Sequence, residues 1–203
     1  MKLYIIRHGE TEWNKKVLLQ GMADIPLNEE GRRLARLTGE KLQDVVFFKA
    51  FSSPLTRAME TAHLVLGKSD IPIIPDKRIT EMSFGKWEGK CYAPGSKDIP
   101  KDMLDNFFHH PDDYIVPEGG ESFAQVIERT NNLYQELVGE PEYQDKNILI
   151  SSHGASSRAF LQSVFRDGNF WQTGVPKNCA VTIVEIVNNE VVHVELDHLF
   201  YKE

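Results

Sequence analysis

The sequence is poor in cysteine and has neither a long basic run nor a long apolar run. Its two cysteines, Cys91 and Cys179, exclude a disulfide framework and favour a reducing compartment. A net charge of -7 is unfavourable for wrapping nucleic acid or lying on anionic lipid. The apolar start ends at Arg7, too early for a signal-peptide core, and no segment is long enough to span a bilayer. We therefore expect a cytoplasmic protein with no nucleic-acid partner and no membrane partner.

The 203 residues, of which 41% are hydrophobic, are enough for a complete core. Area scaling predicts that roughly 70% of the surface of the unfolded chain becomes buried on folding. The length favours one domain over residues 1–203. Residues 85–120 are rich in proline and glycine, and we interpret them as an irregular insertion or lid within that domain. The sequence leaves both a monomer and a homodimer open.

Short β-branched runs alternate with stretches of helical periodicity along the chain. Helix boundaries are marked by Asn28 as a cap, Ser53-Pro54 as a start, Gly67 as a stop and a capping box from Ser122 to Gln125. Alternating strands and helices predict an α/β fold, a three-layer α/β/α sandwich around a mostly parallel sheet with an antiparallel strand. The predicted strands are Leu3–Ile6, Val45–Phe51, Ile71–Pro75 at an edge, Ile148–Ile150, and a closing hairpin of Val181–Val187 and Val191–Leu196 around Asn188-Asn189.

Charged and imidazole side chains follow several of these strands directly. Arg7 and His8 come after the first strand, and Arg57 lies at the start of the helix after the second. Glu81 follows the third strand, and His153 follows the strand at 148–150. Ligands of such sheets bind beyond the carboxyl ends of the strands. We therefore expect these five residues to form one anion site.

A phosphoryl group fits this combination of residues better than a carboxylate does. Arginine presents a rigid fork of donors that matches phosphate oxygens, and helix starts add backbone N–H groups. Gly154, which follows His153, permits a close approach of the backbone to such an anion. A neutral imidazole such as His8 is a credible nucleophile. Glu81 is the candidate proton donor to the leaving oxygen.

The motifs around these residues resemble those of the histidine phosphatase superfamily, also called phosphoglycerate mutase-like. The resemblance implies that fold and a phosphohistidine mechanism without metal or other cofactor. In the mechanism that the resemblance implies, His8 attacks phosphorus, and Arg7, Arg57 and His153 bind the phosphoryl oxygens. Glu81 donates a proton and then activates water. Asn14, Gln20 and Gly21 correspond to positions that line the substrate pocket. The matching motifs are Arg7-His8-Gly9-Glu10-Thr11, Trp13-Asn14, Gln20-Gly21, Ser52-Ser53-Pro54-Leu55, Arg57-Ala58, Thr61-Ala62, Glu81, Phe84-Gly85, Trp87-Glu88-Gly89, Gly120-Glu121-Ser122, Ser152-His153-Gly154 and Asn178-Cys179.

Within that family the sequence favours a phosphatase that hydrolyses a small phosphorylated metabolite. The mutases carry an arginine pair that holds the second charged end of their substrate, and no arginine occurs here between Arg78 and Arg129. Phe84 replaces the tyrosine that mutases place after the glutamate. The alternatives are a 2,3-bisphosphoglycerate-dependent phosphoglycerate mutase and a non-catalytic binder of phosphorylated ligands. The mutase remains open because four lysines stand in the insertion, at Lys86, Lys90, Lys97 and Lys101.

Other interpretations of single residues are weaker. A metal site of His8, His153 and Glu81 is disfavoured because the arginines would repel a cation. Glu88 is an alternative to Glu81 for the acid–base role. Neither cysteine begins a Cys-x5-Arg phosphatase loop, and no nucleotide-binding Gly-x4-Gly-Lys loop is present. We expect His109 and His110 to be solvated, Cys179 to be a buried inert thiol, and Trp87, Phe107 and Phe108 to pack the lid rather than line a pocket.

Overall fold

The computed structural model describes residues 1–165 and 169–201. Within them, six strands form one sheet in the order β3-β2-β4-β1-β5-β6. The pairs β3-β2, β2-β4 and β4-β1 are parallel, whereas β5 and β6 join as an antiparallel hairpin beside β1. This confirms the predicted mostly parallel sheet with its edge strand β3. The strands are β1 Lys2–Arg7, β2 Phe47–Ser52, β3 Ile73–Pro75, β4 Asn147–Ser152, β5 Val181–Val187 and β6 Glu190–His198.

Helices cover both faces of the sheet, which gives the predicted three layers. One face buries Leu3 and Ile5 of β1 against two helices, α5 and α6. The other face buries Tyr4 and Ile6 against α2 and α3. The alternation along β1 is the period of two that places successive side chains on opposite faces. The helices are α1 Glu12–Lys15, α2 Glu29–Lys41, α3 Thr56–Leu66, α4 Lys101–His109, α5 Phe123–Gly139 and α6 Gly154–Phe165.

Most of the predicted boundary signals act as expected. The Asn28 side chain accepts from the Gly31 N–H at the start of α2. Ser122 and Gln125 form the capping box that opens α5. Helix α3 ends at Gly67, and the hairpin turn at Asn188 and Asn189 has positive φ at both residues. Such a turn matches the twist of the flanking strands.

Two predicted boundaries are wrong near β2. The strand begins at Phe47, because Val46 is 82% exposed and lies outside the sheet. Helix α3 begins at Thr56, and Ser53 does not cap it. The Thr56 N–H and hydroxyl instead bind the Asp24 carboxylate at 2.7 and 2.8 Å. A cap supplied from a distant loop leaves no signal in the local sequence.

The prediction that residues 85–120 are irregular is also wrong. They contain α4 and two short 3-10 helices, at Gly85–Trp87 and Pro111–Asp113. Helix α4 buries only Phe107 fully and has no side-chain cap at Pro100, so its sequence carries weak helical signals. The predicted exposure of His109 and His110 at its end is confirmed.

The structure describes the state of both cysteines. Cys91 and Cys179 are both free. Cys179 is buried, as predicted, and burial raises the pKa of its thiol to about 12.

Across residues 1–165 and 169–201, no helix has both the length and the apolarity that a bilayer span requires.

Candidate active site

The pairing of β1 with β4 brings two histidines together. Arg7 and Ser152 are register partners at the ends of these parallel strands, so His8 and His153 are the next residue on each. The His8 N–H donates to the Ser152 carbonyl at 2.9 Å. The two imidazole centroids lie 5.1 Å apart, and both side chains are buried. The predicted convergence at the carboxyl ends of the strands therefore holds for this pair.

His8 is held in one tautomer by its own loop. Its Nδ1 lies 2.7 Å from the Gly9 carbonyl oxygen. A carbonyl only accepts, so Nδ1 carries the hydrogen and Nε2 keeps its lone pair. Burial, then the charges of Arg57 and Arg7, hold the pKa of His8 well below its usual value. The ring is therefore neutral at neutral pH, with Nε2 as its nucleophilic atom.

His153 has the complementary arrangement, with the hydrogen on Nε2. Nε of Arg57 donates to Nδ1 of His153 at 3.1 Å, and an Nδ1 that accepts must be unprotonated. Burial and the Arg57 charge hold the pKa of His153 well below its usual value. Its Nε2 is buried and has no hydrogen-bond partner among the described residues. His153 is thus a neutral ring with one uncommitted N–H donor.

Arg57 is fully buried and is fixed by three acceptors. Besides His153, its two terminal nitrogens donate to the carbonyls of Ala23 and Gly21 at 2.7 and 2.8 Å. Burial lowers the pKa of Arg57 to about 10, so the guanidinium stays charged at neutral pH. The carbonyls of Ala23 and Gly21 offset part of the free-energy cost of burying the Arg57 guanidinium, and they leave its charge in place because a carbonyl is itself uncharged. The site therefore keeps a full positive charge beside two neutral imidazoles.

Arg7 supplies a second guanidinium beside the same cavity. It is half-buried, and one of its terminal nitrogens donates to the Pro176 carbonyl. Burial lowers the pKa of Arg7, while Tyr92 and Glu81 oppose that effect. Its Nε is buried and unpartnered within the described part of the chain. Arg7 therefore retains donor capacity for a ligand.

Glu81 lies against the amino-terminal end of α6. Its Oε2 accepts from the N–H groups of Gly154 and Ala155 at 2.9 and 3.2 Å. Its Oε1 accepts from Ser156 and Met82 at 3.0 and 2.9 Å. An ionised carboxylate has about four acceptor positions, so these bonds occupy all of them. A protonated Glu81 would set its hydroxyl hydrogen against one of these N–H groups.

A positioning residue for Glu81 was absent from the sequence prediction. Arg129 on α5 donates to the carbonyls of Arg78, Thr80 and Glu81 at 2.8 to 3.0 Å. It also forms an ion pair with Glu121 at 3.0 Å. Arg129 thus fixes the backbone that carries Glu81. Nothing in the local sequence marks this arginine, because the carbonyls that it binds lie about fifty residues earlier in the chain.

Helix α1 and the loop after it supply the remaining predicted residues. The Thr11 hydroxyl donates to the side-chain oxygens of Asn14 and Gln20 at 3.1 and 3.0 Å, which leaves each amide its NH2 group as donor. Gly21 has φ +53, and a Cβ there would come within 2.2 Å of Oε1 of Glu88. Any side chain at this turn would be strained and would displace Glu88, so glycine is favoured here. Helix α1 brings Asn14 to the cavity wall, and the loop after it brings Gln20 and Gly21.

Glu88, the alternative to Glu81, does not line the cavity. Its carboxylate accepts from the N–H groups of Met22 and Ala23, both at 2.9 Å, and of Phe84 at 3.2 Å. It is therefore committed to the loop whose carbonyls bind Arg57. Nothing in the described geometry supports the suggestion that Glu88 shares the acid–base role, because its carboxylate accepts from backbone N–H groups and does not line the cavity. Its positioning role was missed.

The cavity at this end of the sheet encloses about 70 Å³. Eight of the nine predicted site residues line it, and His153 lies behind them, in contact with Arg57. Phe107 and Phe108 also line it, so the prediction that they only pack the lid is wrong. Trp87 does not. The predicted residues that line the cavity are Arg7, His8, Asn14, Gln20, Gly21, Arg57, Glu81 and Gly154.

The donor set does not suit a metal ion. In the parts of the chain that the structure describes, no cluster of three or more His, Cys, Asp or Glu side chains has a metal-binding arrangement. Both Nδ1 atoms of His8 and His153 are committed, and the Glu81 oxygens are fully used. Two guanidinium groups flank the imidazoles, which favours an anion.

A mostly parallel sheet with this cationic site at the carboxyl ends of its strands suits the binding and transfer of a phosphoryl group. The comparison with known families agrees, because the model of the histidine phosphatase superfamily (branch 1) matches residues 3–197. The chain therefore belongs to the histidine phosphatase superfamily, as its motifs predicted.

Relatives of the chain comprise both mutases and phosphatases. A 2,3-bisphosphoglycerate-dependent phosphoglycerate mutase of Gloeobacter violaceus is 34% identical over 166 residues, which are 80% of this chain and 74% of that protein. The solved structure of Bacillus stearothermophilus YhfR has a TM-score of 0.86 and 32% identity, over 97% of this chain and 96% of that one. A mycobacterial glucosyl-3-phosphoglycerate phosphatase has a TM-score of 0.85 and 28% identity, over 96% and 97%.

Proposed function

We propose that the protein is a metal-independent phosphomonoesterase that hydrolyses a small phosphorylated metabolite through a phosphohistidine at His8. One observation carries the proposal. His8 is neutral with its Nδ1 bound to the Gly9 carbonyl, and it lies beside His153, whose Nε2 has no hydrogen-bond partner among the described residues. A nucleophile and an oxyanion donor thus sit side by side in a cationic, buried site.

In the first step, Nε2 of His8 attacks phosphorus and the bond from phosphorus to the ester oxygen breaks. The leaving oxygen takes the proton of the Glu81 carboxyl and departs as the alcohol, which leaves Glu81 as a carboxylate. Arg7, Arg57 and the Nε2–H of His153 donate to the three non-bridging oxygens, where negative charge is concentrated. Asn14, Gln20 and the backbone N–H of Gly21 are the remaining donors to the phosphoryl group and the substrate, while the Gly154 N–H stays bound to Glu81.

In the second step, water attacks the phosphohistidine, the N–P bond breaks, and inorganic phosphate leaves. We assign to Glu81 the proton exchange in both steps. Because its four acceptor positions are filled, one N–H bond must open first, and the longest, from Ala155 at 3.2 Å, is the one that we assign. Glu81 then takes the proton of the attacking water. The proton that Glu81 gives to the leaving oxygen in the first step is thus recovered from water in the second.

Hydrolysis is favoured over isomerisation by the charges at the cavity. A mutase must hold a second anionic end of its substrate while the phosphoryl group moves. Arg7 and Arg57 are the only arginines among the described lining residues, and none of the four lysines of the insertion is among them. The likeness to the structure of the mycobacterial glucosyl-3-phosphoglycerate phosphatase supports the same choice.

The test is hydrolysis of a generic aryl phosphate in the presence of a metal chelator. We expect wild-type turnover with the chelator, and background rates for His8→Ala with unchanged circular dichroism. A fully active His8→Ala variant would refute the mechanism, and a wild-type protein inactive only with the chelator would refute metal independence. Any turnover above background also excludes a non-catalytic binder.

The second candidate is a 2,3-bisphosphoglycerate-dependent phosphoglycerate mutase, favoured by the curated relatives of that name. Isomerisation of 3-phosphoglycerate that depends on a bisphosphorylated primer would identify it.

We propose further that residues 1–203 act as one domain in the cytoplasm, and that residues 85–120 set specificity. The packing of Phe107 and Phe108 at the cavity supports that role for the segment.

A further inference from the structure

The residues that line the cavity fall into two chemically distinct sets. One set is the polar group assigned above to the phosphoryl oxygens. The other set, which we call the apolar wall, contains no charged side chain, and the Tyr92 hydroxyl is its one polar side-chain group besides the indole N–H of Trp171. The apolar wall consists of Leu18, Leu19, Phe84, Tyr92, Phe107, Phe108, Ala155, Trp171 and Val175.

The aromatic part of this wall is already assembled. The Phe107 ring lies 5.0 Å from the rings of Phe108 and Trp171 and 5.3 Å from Phe84, as measured between centroids. The Trp171 indole donates to the Phe107 carbonyl at 2.6 Å, so its N–H is committed away from a ligand. Edge-to-face packing of this kind fixes the rings. A preassembled apolar surface loses little entropy when a ligand binds to it.

The wall is open to a ligand at two of its rings. Phe107 is 3% exposed and Trp171 is 7% exposed, so these two side chains form the buried part of the aromatic cluster. Phe108 and Tyr92 are only partly buried, and their centroids lie 6.4 Å apart. A cavity lined by partly exposed aromatic rings suits an apolar group with a flat face.

A second anionic group on the substrate would find no partner at this wall. Of the lysines in the same segment, Lys86 lies over the Trp87 ring at 5.1 Å, and Trp87 is outside the cavity. Lys90, Lys97 and Lys101 are exposed to solvent and do not line the cavity. A carboxylate placed against the wall would lose its hydration without gaining a cation, which is strongly unfavourable.

We propose that the apolar wall recognises an uncharged apolar alcohol portion, preferably one with an aromatic ring, and selects against substrates with a second anionic end. The inference rests on the phosphomonoesterase proposed above. It makes Phe108 and Tyr92 specificity-determining residues, with the Tyr92 hydroxyl free to bind a polar substituent of the ring. Esters of small hydroxy acids and bisphosphates are then poor substrates.

The experiment compares two esters that differ only at the far end of the alcohol. These are 3-phenylpropyl phosphate and the phosphate ester of 4-hydroxybutyrate, whose leaving alcohols are both unactivated primary alcohols. Their non-hydrolysable phosphonates are titrated by calorimetry in parallel, so that binding is measured without turnover. We expect the phenyl compound to show at least about tenfold higher kcat/KM and tenfold tighter binding, as for the loss of buried apolar contact in other pockets.

Variants of one partly exposed ring locate the effect. Phe108→Ala should reduce the preference for the phenyl ester to about threefold or less, and Phe108→Arg should shift it towards the carboxylated ester. Phe108 is chosen because Phe107 is central to the packing, so its removal would risk the fold. Ile115→Ala is the matched control, since Ile115 lies in the same segment, is 80% exposed and does not line the cavity.

The outcomes separate this inference from the proposed function. Hydrolysis of both esters by His8 with equal or reversed preference would overturn the apolar selection and leave the phosphomonoesterase standing. A binding preference for the phenyl phosphonate without hydrolysis of either ester would support the apolar selection and overturn the phosphomonoesterase. Equal calorimetric affinities would refute the apolar selection whatever the turnover.

Discussion

Arg57 holds His153 in a single tautomer. Its Nε donates to Nδ1 of the imidazole at 3.1 Å, and the other two nitrogens of the guanidinium bind the carbonyls of Gly21 and Ala23. The proton of the neutral His153 ring must then lie on Nε2. One buried arginine therefore supplies a positive charge to the cavity and sets the donor of its neighbour.

Arg57→Lys tests that double role. A lysine keeps the charge, but its single ammonium cannot reach both carbonyls and the imidazole in the geometry of the guanidinium fork. We expect kcat/KM to fall by about 10²- to 10³-fold, as for the loss of a transition-state donor. The measurement is steady-state hydrolysis of an aryl phosphate. Arg33→Lys on the exposed side of α2 is the control, and equal activity of the two variants would show that the tautomer is unimportant.

Glu81→Gln is expected to destabilise the fold as well as slow the reaction. The glutamine oxygen still accepts two of the four N–H bonds, but its NH2 group opposes the other two. Unsatisfied buried donors cost about 1–3 kcal/mol in the free energy of unfolding. Urea titration measures the loss, with Glu118→Gln, an exposed site, as reference. An unchanged unfolding midpoint would mean that Glu81 is not bound to α6 as described.

The two depressed histidine pKa values predict acid sensitivity of the fold. In the unfolded chain both rings take a proton near pH 6.5, whereas His8 and His153 stay neutral in the fold to well below that pH. The unfolded state then binds more protons, so stability is complete above about pH 6.5 and is lost as pH falls. Each ring contributes a slope of up to about 1.4 kcal/mol per pH unit.

A single variant isolates one of these slopes. His153→Asn should make the loss of unfolding free energy between about pH 6.5 and pH 5 shallower by up to about 1.4 kcal/mol per unit, as followed by urea titration. His63→Asn, at an exposed position of α3, should keep the wild-type slope. A slope for His153→Asn equal to that of wild type would contradict a neutral buried ring.

Glu88→Gln should lower kcat/KM although Glu88 does not line the cavity. The glutamine NH2 cannot accept from the Ala23 N–H, so the loop that holds Arg57 loosens. We expect about a tenfold fall in kcat/KM, in line with a lost charged hydrogen bond of 1.5–3 kcal/mol. Inhibition by vanadate should weaken in parallel, because it reports the position of Arg57. Unchanged vanadate inhibition together with lower kcat/KM would place the effect elsewhere.

What the sequence predicted well is local. His8 and His153 are placed by the ends of two short apolar strands, and the Asn28 cap and the Asn188-Asn189 turn each act within a few residues. The cap, the turn and the place of each histidine at a strand end depend on neighbouring residues, and the general rule for ligand sites in parallel sheets supplies the meeting of the two strand ends. The predicted site residues therefore came together where the strands end.

What the sequence did not predict depends on distant partners. Asp24 caps α3 from a loop about thirty residues earlier, and Glu88 reaches back to residues 22 and 23. Arg129 binds carbonyls about fifty residues before it. Such contacts are created by the fold and leave no periodic signal. The same holds for Phe108, whose place at the cavity follows from the packing of α4.

The most direct test of the central claim is to trap the phosphoenzyme. The protein is mixed with ³²P-labelled aryl phosphate, quenched within milliseconds and digested for peptide mapping. We predict a label on the peptide that contains His8, stable in base and lost in acid, and no label in His8→Ala. A wild-type protein that turns over this substrate with no labelled histidine at any time, or with label on another residue, would contradict the account.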